Sequence, residues 1–504
     1  MRLVFQIIAA IFLAGNLLAV GLPVGRPDTE GAYAYLRELY LRGADFRQGA
    51  MFGPVESKSI KDHLSAYGRE LHISGRLEAI LDRFLVGDNT LRFQTSLIPY
   101  GIVAGDTGRL YWSIIPEAIW GLGKNLNLHL AYRSDSRLTR DESYIGRKWD
   151  NWAGYAETGL LVYHSPRLSI ELGRRRSFWG IAKSGHTLMH ASTAMPLDGL
   201  FLGYRISRRV SAHASIAYLS PIYYPPGQPR PDNDENRYFS AHALSISAAD
   251  WLDITLKESI IYGGPGRRLE SYYALPFLWL HAEQLNANAD DNTLFGIEAI
   301  WRYRSRLAGY VDFMLDDLQI EKKSGSDREP AEYGVIFGLN IFDLGLSPSA
   351  LEFEYARIAN RTYNQLNPRN RYIHQNRALG YPLGPDNESI SIGYNWHVSR
   401  RLTLGVDYFY GRMGEGKIDS PWLTPWVEDP GYSEKFPSGI VQKERRVGVR
   451  GIFQNGAQLE SKLSLNFADI NNDKNIPGNN RGFWSVSGEI IYNLPIFSWR
   501  LDHE

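Results

Sequence analysis

The sequence predicts an all-β protein: a transmembrane, antiparallel up-and-down β-barrel of about 18 strands that follows a small N-terminal helical segment. Three observations predict it. Apolar and polar residues alternate with a period of two from residue 91 nearly to the C-terminus, tight and long connections alternate between those runs, and the chain opens on an apolar leader of the export type.

The leader reads MRLVFQIIAAIFLAGNLLAVGLP, with a single Arg2, an apolar stretch to Val20, and small residues at Ala19 and Gly21. This pattern predicts a signal peptide over residues 1–21, with an uncleaved anchor as the alternative because the run is nearly long enough to span. Beyond Pro23 no window approaches the ~18 consecutive apolar residues of a spanning helix, so membrane residence must be by strands.

From Glu30 to Val86 the spacing is helical: Tyr33, Leu36 and Tyr40, then Ile60, Leu64, Tyr67 and Leu71, then Leu77, Ile80, Leu81 and Phe84. Gly43, Gly53-Pro54 and Gly75 are expected to break this into about three short helices. Residues 22–88 are therefore expected to form a small periplasmic appendage, and residues 89–504 the barrel.

In the barrel region Leu91, Phe93, Thr95 and Leu97 alternate with Arg92, Gln94 and Ser96, and Leu252, Ile254 and Leu256 with Asp253, Thr255 and Lys257. Phe295, Ile297, Ala299 and Trp301 likewise stand opposite Glu298 and Arg302. One face of each strand is apolar; the other carries charges that a dry sandwich core would not tolerate unpaired, so that face is expected to be wet. Alternation alone also suits a soluble sheet. Connection length separates the two, because tight links follow even-numbered runs, as at 121–124, 164–167, 207–209, 249–250, 304–306, 399–401 and 455–457, with a longer one near Gly345. Long links follow odd-numbered runs, except the first near Gly105. Tight periplasmic turns against long extracellular loops at an even strand count is the outer-membrane barrel pattern. The repeated Ser-Arg-Arg at 207–209 and 399–401 is then a periplasmic hairpin turn. Trp120, Tyr132, Tyr218, Trp251, Tyr355, Trp396, Tyr408, Tyr410, Trp484 and Tyr492 lie near strand ends, where interfacial girdles are expected. The last run, 482–494, is followed by Pro495, and Trp499 is the candidate to close it.

Composition excludes several functions. The chain has no Cys, hence no disulfide or thiolate metal site, and a formal net charge of zero, which argues against a nucleic-acid partner. His186 and His190 have helical i, i+4 spacing but no Glu between them to make a zinc-protease motif, and GGPGRR at 263–268 opens no helix. No cofactor and no metal are expected. Asp316 and Asp317 adjoin on a strand and point to opposite faces unless the strand breaks, so they fit loop pinning better than a glycosidase pair, with Ca²⁺ ligation as an alternative. The long loops are rich in aromatics: Phe178 with Trp179, Tyr223 with Tyr224, Tyr272 with Tyr273, Trp279, and Trp422 with Trp426. Aromatic faces beside polar groups suit a saccharide, and equally suit packing over the barrel mouth.

Five blocks, LGRRRSFWG at 172–180, PLDGLFLGYRI at 196–206, DDNTLFGIEAIW at 290–301, YVDFMLDDLQIE at 310–321 and ALGYPLGPDNESISIGYNW at 378–396, with YLRELYLRG near the N-terminus, resemble the Wzi family of capsule assembly proteins. The resemblance implies a bacterial outer-membrane barrel with a periplasmic helical bundle. It further implies a non-enzymatic role in assembling or attaching capsular or extracellular polysaccharide by lectin-like binding. The implied partners are outer-membrane lipid, the polysaccharide and capsule export machinery. Candidate polysaccharide-binding or loop-organising residues are Arg174, Trp179, Asp291, Asn292, Asp316 and Asp317 within these blocks, and Tyr223, Tyr224, Trp422 and Trp426 from the aromatic loops. The alternative function is a porin or sugar-permeable diffusion channel.

Overall fold

The computed structural model describes residues 22–45, 47–53, 60–61, 64, 72–222, 236–318, 328–429 and 431–500. The leader, Tyr67, Leu71, Tyr223 and Tyr224 lie outside the described residues. Eighteen strands close into one antiparallel barrel. In chain order they are β1 Thr90–Ala104, β2 Thr107–Gly123, β3 Leu126–Asp135, β4 Trp152–His164, β5 Leu168–Arg175 and β6 Leu197–Arg205. They continue as β7 Val210–Leu219, β8 Arg237–Ala249, β9 Leu252–Gly263, β10 Asn292–Tyr303, β11 Leu307–Asp317 and β12 Glu332–Phe342. The last six are β13 Ser349–Ile358, β14 Asn387–Trp396, β15 Leu402–Met413, β16 Gln442–Asn455, β17 Leu459–Asn471 and β18 Arg481–Asn493. Closure pairs β18 with β1. After Pro495 the chain rejoins the ladder at Phe497–Arg500, opposite the start of β1, where Trp499 packs edge-on against Phe93.

The pattern of exposure is the reverse of a water-soluble sheet. Leu463 is 62% exposed and Leu172 56%, whereas the side chains of Lys257, Glu298 and Asp312 are completely sealed. An apolar outer face of that extent is stable only against lipid. Tyr132, Tyr218 and Trp484 are exposed near the long-loop end, and Trp251 and Tyr492 near the short-turn end.

The expected wet interior is corrected by the structure: much of the polar face is dry. The helices α1 Pro27–Leu41, α2 Arg47–Met51 and α3 His72–Leu81 are not an appendage beside the barrel but fill its short-turn end. The reason is charge pairing. Arg37 on α1 donates to Glu352 at 2.6 Å and to the Tyr310 hydroxyl at 3.2 Å, and the Tyr40 hydroxyl donates to Asp253 at 2.5 Å. Arg42 donates to Asp343 at 3.0 Å and to the Ser349 carbonyl at 2.8 Å. Arg26 is fully buried between Asp28 and Glu117. Inward charges that would otherwise require water thus find partners on the helices.

Both Ser-Arg-Arg turns are held the same way. In each, the serine hydroxyl accepts the backbone N–H three residues on, at 3.1 Å from Val210 and from Leu402. The plug then grips the turns from inside, as Arg47 donates to the Arg209 carbonyl at 3.2 Å, and Arg76 donates to the Ser399 and Arg400 carbonyls at 2.7 and 2.9 Å.

Gly43 follows the end of α1 with φ of 106°, the left-handed position that favours glycine after a helix. Gly75, by contrast, does not break a helix: α3 runs through it, anchored by Arg76. A Cβ at Gly75 would meet nothing within 4 Å. Gly75→Ala should therefore strengthen α3 by about 0.5–1 kcal/mol, read as slower amide hydrogen exchange within the helix.

The connection from β5 to β6, residues 176–196, also enters the lumen. Its Phe178–Trp179 pair forms a two-residue ladder with Phe52–Gly53. The Gly180 N–H donates to the Met51 carbonyl at 2.7 Å, the Ile181 N–H to Glu298 at 2.7 Å, and the Lys183 N–H to Glu354 at 2.9 Å. Gly53 is obligatory at this junction, since a Cβ there would collide with the Phe178 ring. An element from the long-loop end and one from the short-turn end thus meet inside the barrel.

Candidate functional site

Beside α1 the lumen keeps a cavity of about 640 Å³. It runs from Asp141 and Arg377 on the long-loop side to Thr403 and Glu460 on the short-turn side. Its walls carry both charges in pairs. Arg133 and Arg137 each meet Asp135 at 2.8 Å, Arg176 meets Glu157 at 2.6 Å, and Lys462 meets Glu489 at 3.1 Å. Arg377 pairs with Asp141 and donates to the Ser143 hydroxyl at 3.0 Å. Lys183 sits 3.6 Å from Glu352 and 3.7 Å from Asp407. Paired charges offer donors and acceptors together, which is what hydroxyl groups take, and Tyr33 and Tyr155 add aromatic surface.

The tip of the inward connection projects into this cavity, with Ser184 in the left-handed region at φ 56°. Burial and the neighbouring Lys183 push His186 down to about 4, so it is neutral at physiological pH. His190 does not share a helix face with it: His190 is buried 2.8 Å from the Ser177 hydroxyl, and burial and Arg175 lower it to about 3. Among the described residues no group of three or more His, Asp or Glu is arranged to hold a metal ion.

The candidate residues named from sequence fall at separate places. Arg174 points outward with Leu172 and makes a two-point ion pair with Asp198, both contacts at 2.6 Å, at the outer rim. Trp179 is buried against Phe52 and His190. Asp291 accepts from Tyr273 at 2.9 Å and from Arg267, and Asn292 donates to the Asn370 carbonyl at 3.1 Å. Asp316 accepts the Tyr363 N–H at 2.5 Å. Trp426 is buried beneath the Arg361 guanidinium, 4.6 Å from its ring, and Trp422 is half-buried nearby in chain. Asn292 and Asp316 meet the β13–β14 connection, at Asn370 and Tyr363, whereas Asp291 is held by Arg267 and Tyr273 of the β9–β10 connection; none of the eight described candidate residues lines the cavity. The residues that do, among them Arg133, Arg176, Arg377 and Arg450, were missed because they come from separate strands and connections.

The strand does break at Asp316 and Asp317. A register shift between Leu315 and Asp317 sets Asp317 opposite Glu332, so adjacent carboxylates no longer face opposite sides. Glu332 is buried, with neither carboxylate oxygen receiving a hydrogen bond among the described residues. Burial pushes Glu329, just before β12, up to about 7; the Asp317 charge adds to this and Arg361 opposes it. An acid whose folded value is raised favours the folded arrangement while protonated. Its contribution is present below the ordinary carboxylate range and is lost as pH rises through about 7. Amide protection at residues 331–333, corrected for intrinsic exchange, should accordingly fall between pH 5 and pH 8, and Glu329→Gln should weaken the dependence.

A family model described as Capsule assembly protein Wzi matches residues 113–483. Among solved structures the chain is similar to Wzi of Escherichia coli, described as an outer membrane protein involved in group 1 capsule assembly and a carbohydrate-binding β-barrel. The TM-score is 0.61 at 12% identity, over 94% of this chain and 99% of that one. OprD and OpdK of Pseudomonas aeruginosa are similar at TM-scores of 0.45 and 0.47, each at 12% identity, covering 82% and 81% of this chain and 95% and 99% of theirs. No curated protein matches the sequence. With its closed barrel, apolar outer face and family match over most of its length, this outer-membrane chain belongs to the Wzi family of capsule assembly proteins.

Proposed function

We propose that the protein binds capsular or extracellular polysaccharide at the cell surface without turning it over, and so holds the polymer on the cell. The observation that carries this reading is the occupied lumen. The helical plug and the 176–196 connection meet inside the barrel, leaving a cavity of paired charges whose upper wall, at Asp141, Lys183, His186 and Arg377, belongs to the long-loop side. Such a wall can bind hydroxyl groups along a chain. The short-turn end, with helices α1, α2 and α3, then faces the periplasm, where export machinery is a candidate partner. The carbohydrate-binding description of the Escherichia coli protein agrees with this reading.

The test is titration calorimetry of the detergent-purified protein with polysaccharide from its own cells. Saturable heat is expected, and its absence overturns the proposal. One observation favours a second reading, since the same cavity reaches residues of both ends and could conduct. Single-channel steps of the intact protein in planar bilayers, without saccharide binding, would favour that channel.

A further inference from the structure

The 264–291 connection between β9 and β10 does not stand above the barrel mouth. Lys257 points into the lumen toward Asp312, so its neighbour Glu258 points outward, on the same face as the exposed Leu256. Glu258 is nevertheless buried. It pairs with His242 of β8 at 3.0 Å, and it accepts the Leu280 and His281 N–H groups at 3.0 and 2.9 Å from the short helix α4, Leu280–Asn286. His281 packs edge-on against Phe295, the outward residue opposite Glu258 in the ladder. Beneath the connection lie Ile260 and Tyr262, buried under its own Tyr273 and Leu280, with Tyr238 beside them. Asp291 fastens the far end by accepting from Arg267 and Tyr273.

The connection is thus a flap folded down on the outside wall. Glu258 lies six residues from the short-turn end of β9, roughly 15 Å up a tilted strand, within an apolar belt about 25 Å tall. A bare Glu–His pair at that height would be costly against hydrocarbon, and the flap covers it. The flap's own outer surface is apolar in turn: Phe277 is 80% exposed and Trp279 75%, beside exposed Leu275, Leu278 and Leu285.

We propose that residues 275–285 are a lateral lipid-binding surface, on which Phe277 and Trp279 insert among the acyl chains of the outer leaflet and cover the break that Glu258 and His242 make in the apolar belt of β8 and β9. Continuity carries the choice of occupant, because the patch adjoins Phe295 and Ile297 of the lipid-facing wall through His281. Trp279 then belongs to the membrane and not to a saccharide site, whether or not the protein binds polysaccharide elsewhere.

The absence of cysteine makes the test direct. Phe277→Cys carries a nitroxide label in the full chain reconstituted into phosphatidylcholine vesicles, and its collisions with oxygen and with a water-soluble nickel chelate are measured by electron paramagnetic resonance. Ile297→Cys serves as the lipid-exposed reference, Glu142→Cys as the water-exposed one, and only variants that keep the heat-modifiable folded band are compared. The oxygen-to-nickel ratio at 277 should match that at 297. A ratio matching 142 overturns the proposal, and so does low collision with both reagents, which would mean a second copy covers the patch. A label at Trp279→Cys gives an independent second reading with the same expected and contrary outcomes.

Discussion

Lys257→Met is expected to destabilise the barrel by about 3–5 kcal/mol, because it leaves two buried carboxylates without their cation. Lys257 lies 2.7 Å from Asp312 and 3.6 Å from Glu298, with all three side chains sealed from solvent. Breaking one member of such a set costs more than the set contributes, since the remaining charges keep their desolvation penalty. Glu298 also accepts the Ile181 N–H, so the damage should spread to the 176–196 connection. The check is the urea midpoint of the heat-modifiable band in vesicles. Adding Asp312→Asn and Glu298→Gln to Lys257→Met should recover most of the loss; if the triple variant is as unstable as the single one, charge pairing is not what the lysine supplies.

Removing residues 27–84 should convert a nearly silent protein into a conducting one. An empty barrel of 18 strands encloses an aqueous lumen, and here that space is taken by α1, α2 and α3. Planar-bilayer recordings of the deletion variant should show large, long-lived steps, whereas the intact protein should show none of that size. Equal conductance from both would mean that the helices do not block the barrel. The same deletion strips Asp253, Glu352 and Asp343 of their partners Tyr40, Arg37 and Arg42, so weaker thermal stability should accompany the opening.

The barrel was legible because its signals are local. Each strand declares itself by alternation over about ten residues, and each hairpin by a turn such as Ser207-Arg208-Arg209, whose hydroxyl closes on the next residues. The interior was not legible, because its contacts join residues far apart in sequence. Arg37 meets Glu352, Arg76 meets Ser399, and nothing near any of these four positions announces the partner. The charged face looked wet for the same reason: alternation shows that charges point inward but not what neutralises them. Gly75 shows the limit of local breakers, since a docked side chain at the next position keeps the helix intact. The flap at 264–291 had a visible signal, the apolar run Leu275, Phe277, Leu278 and Trp279, but whether such a run faces sugar or lipid depends on which side of the wall it folds down.

The candidate site was the least legible part. Trp179 and Trp426 were candidates for polysaccharide binding or for loop organisation; Trp179 is buried against Phe52 and His190, Trp426 lies beneath Arg361, and Arg174 pairs with Asp198 at the outer rim. Saccharide recognition needs exposed groups that converge, and convergence is a property of the closed barrel rather than of any motif.

Retention of polymer at the surface is the role proposed for this plugged barrel. The most direct measurement deletes the gene and assays surface polysaccharide in washed cells and in the medium. Total polymer should stay the same while the cell-bound share falls and the released share rises; undiminished retention on the deleted cells would contradict the proposed role.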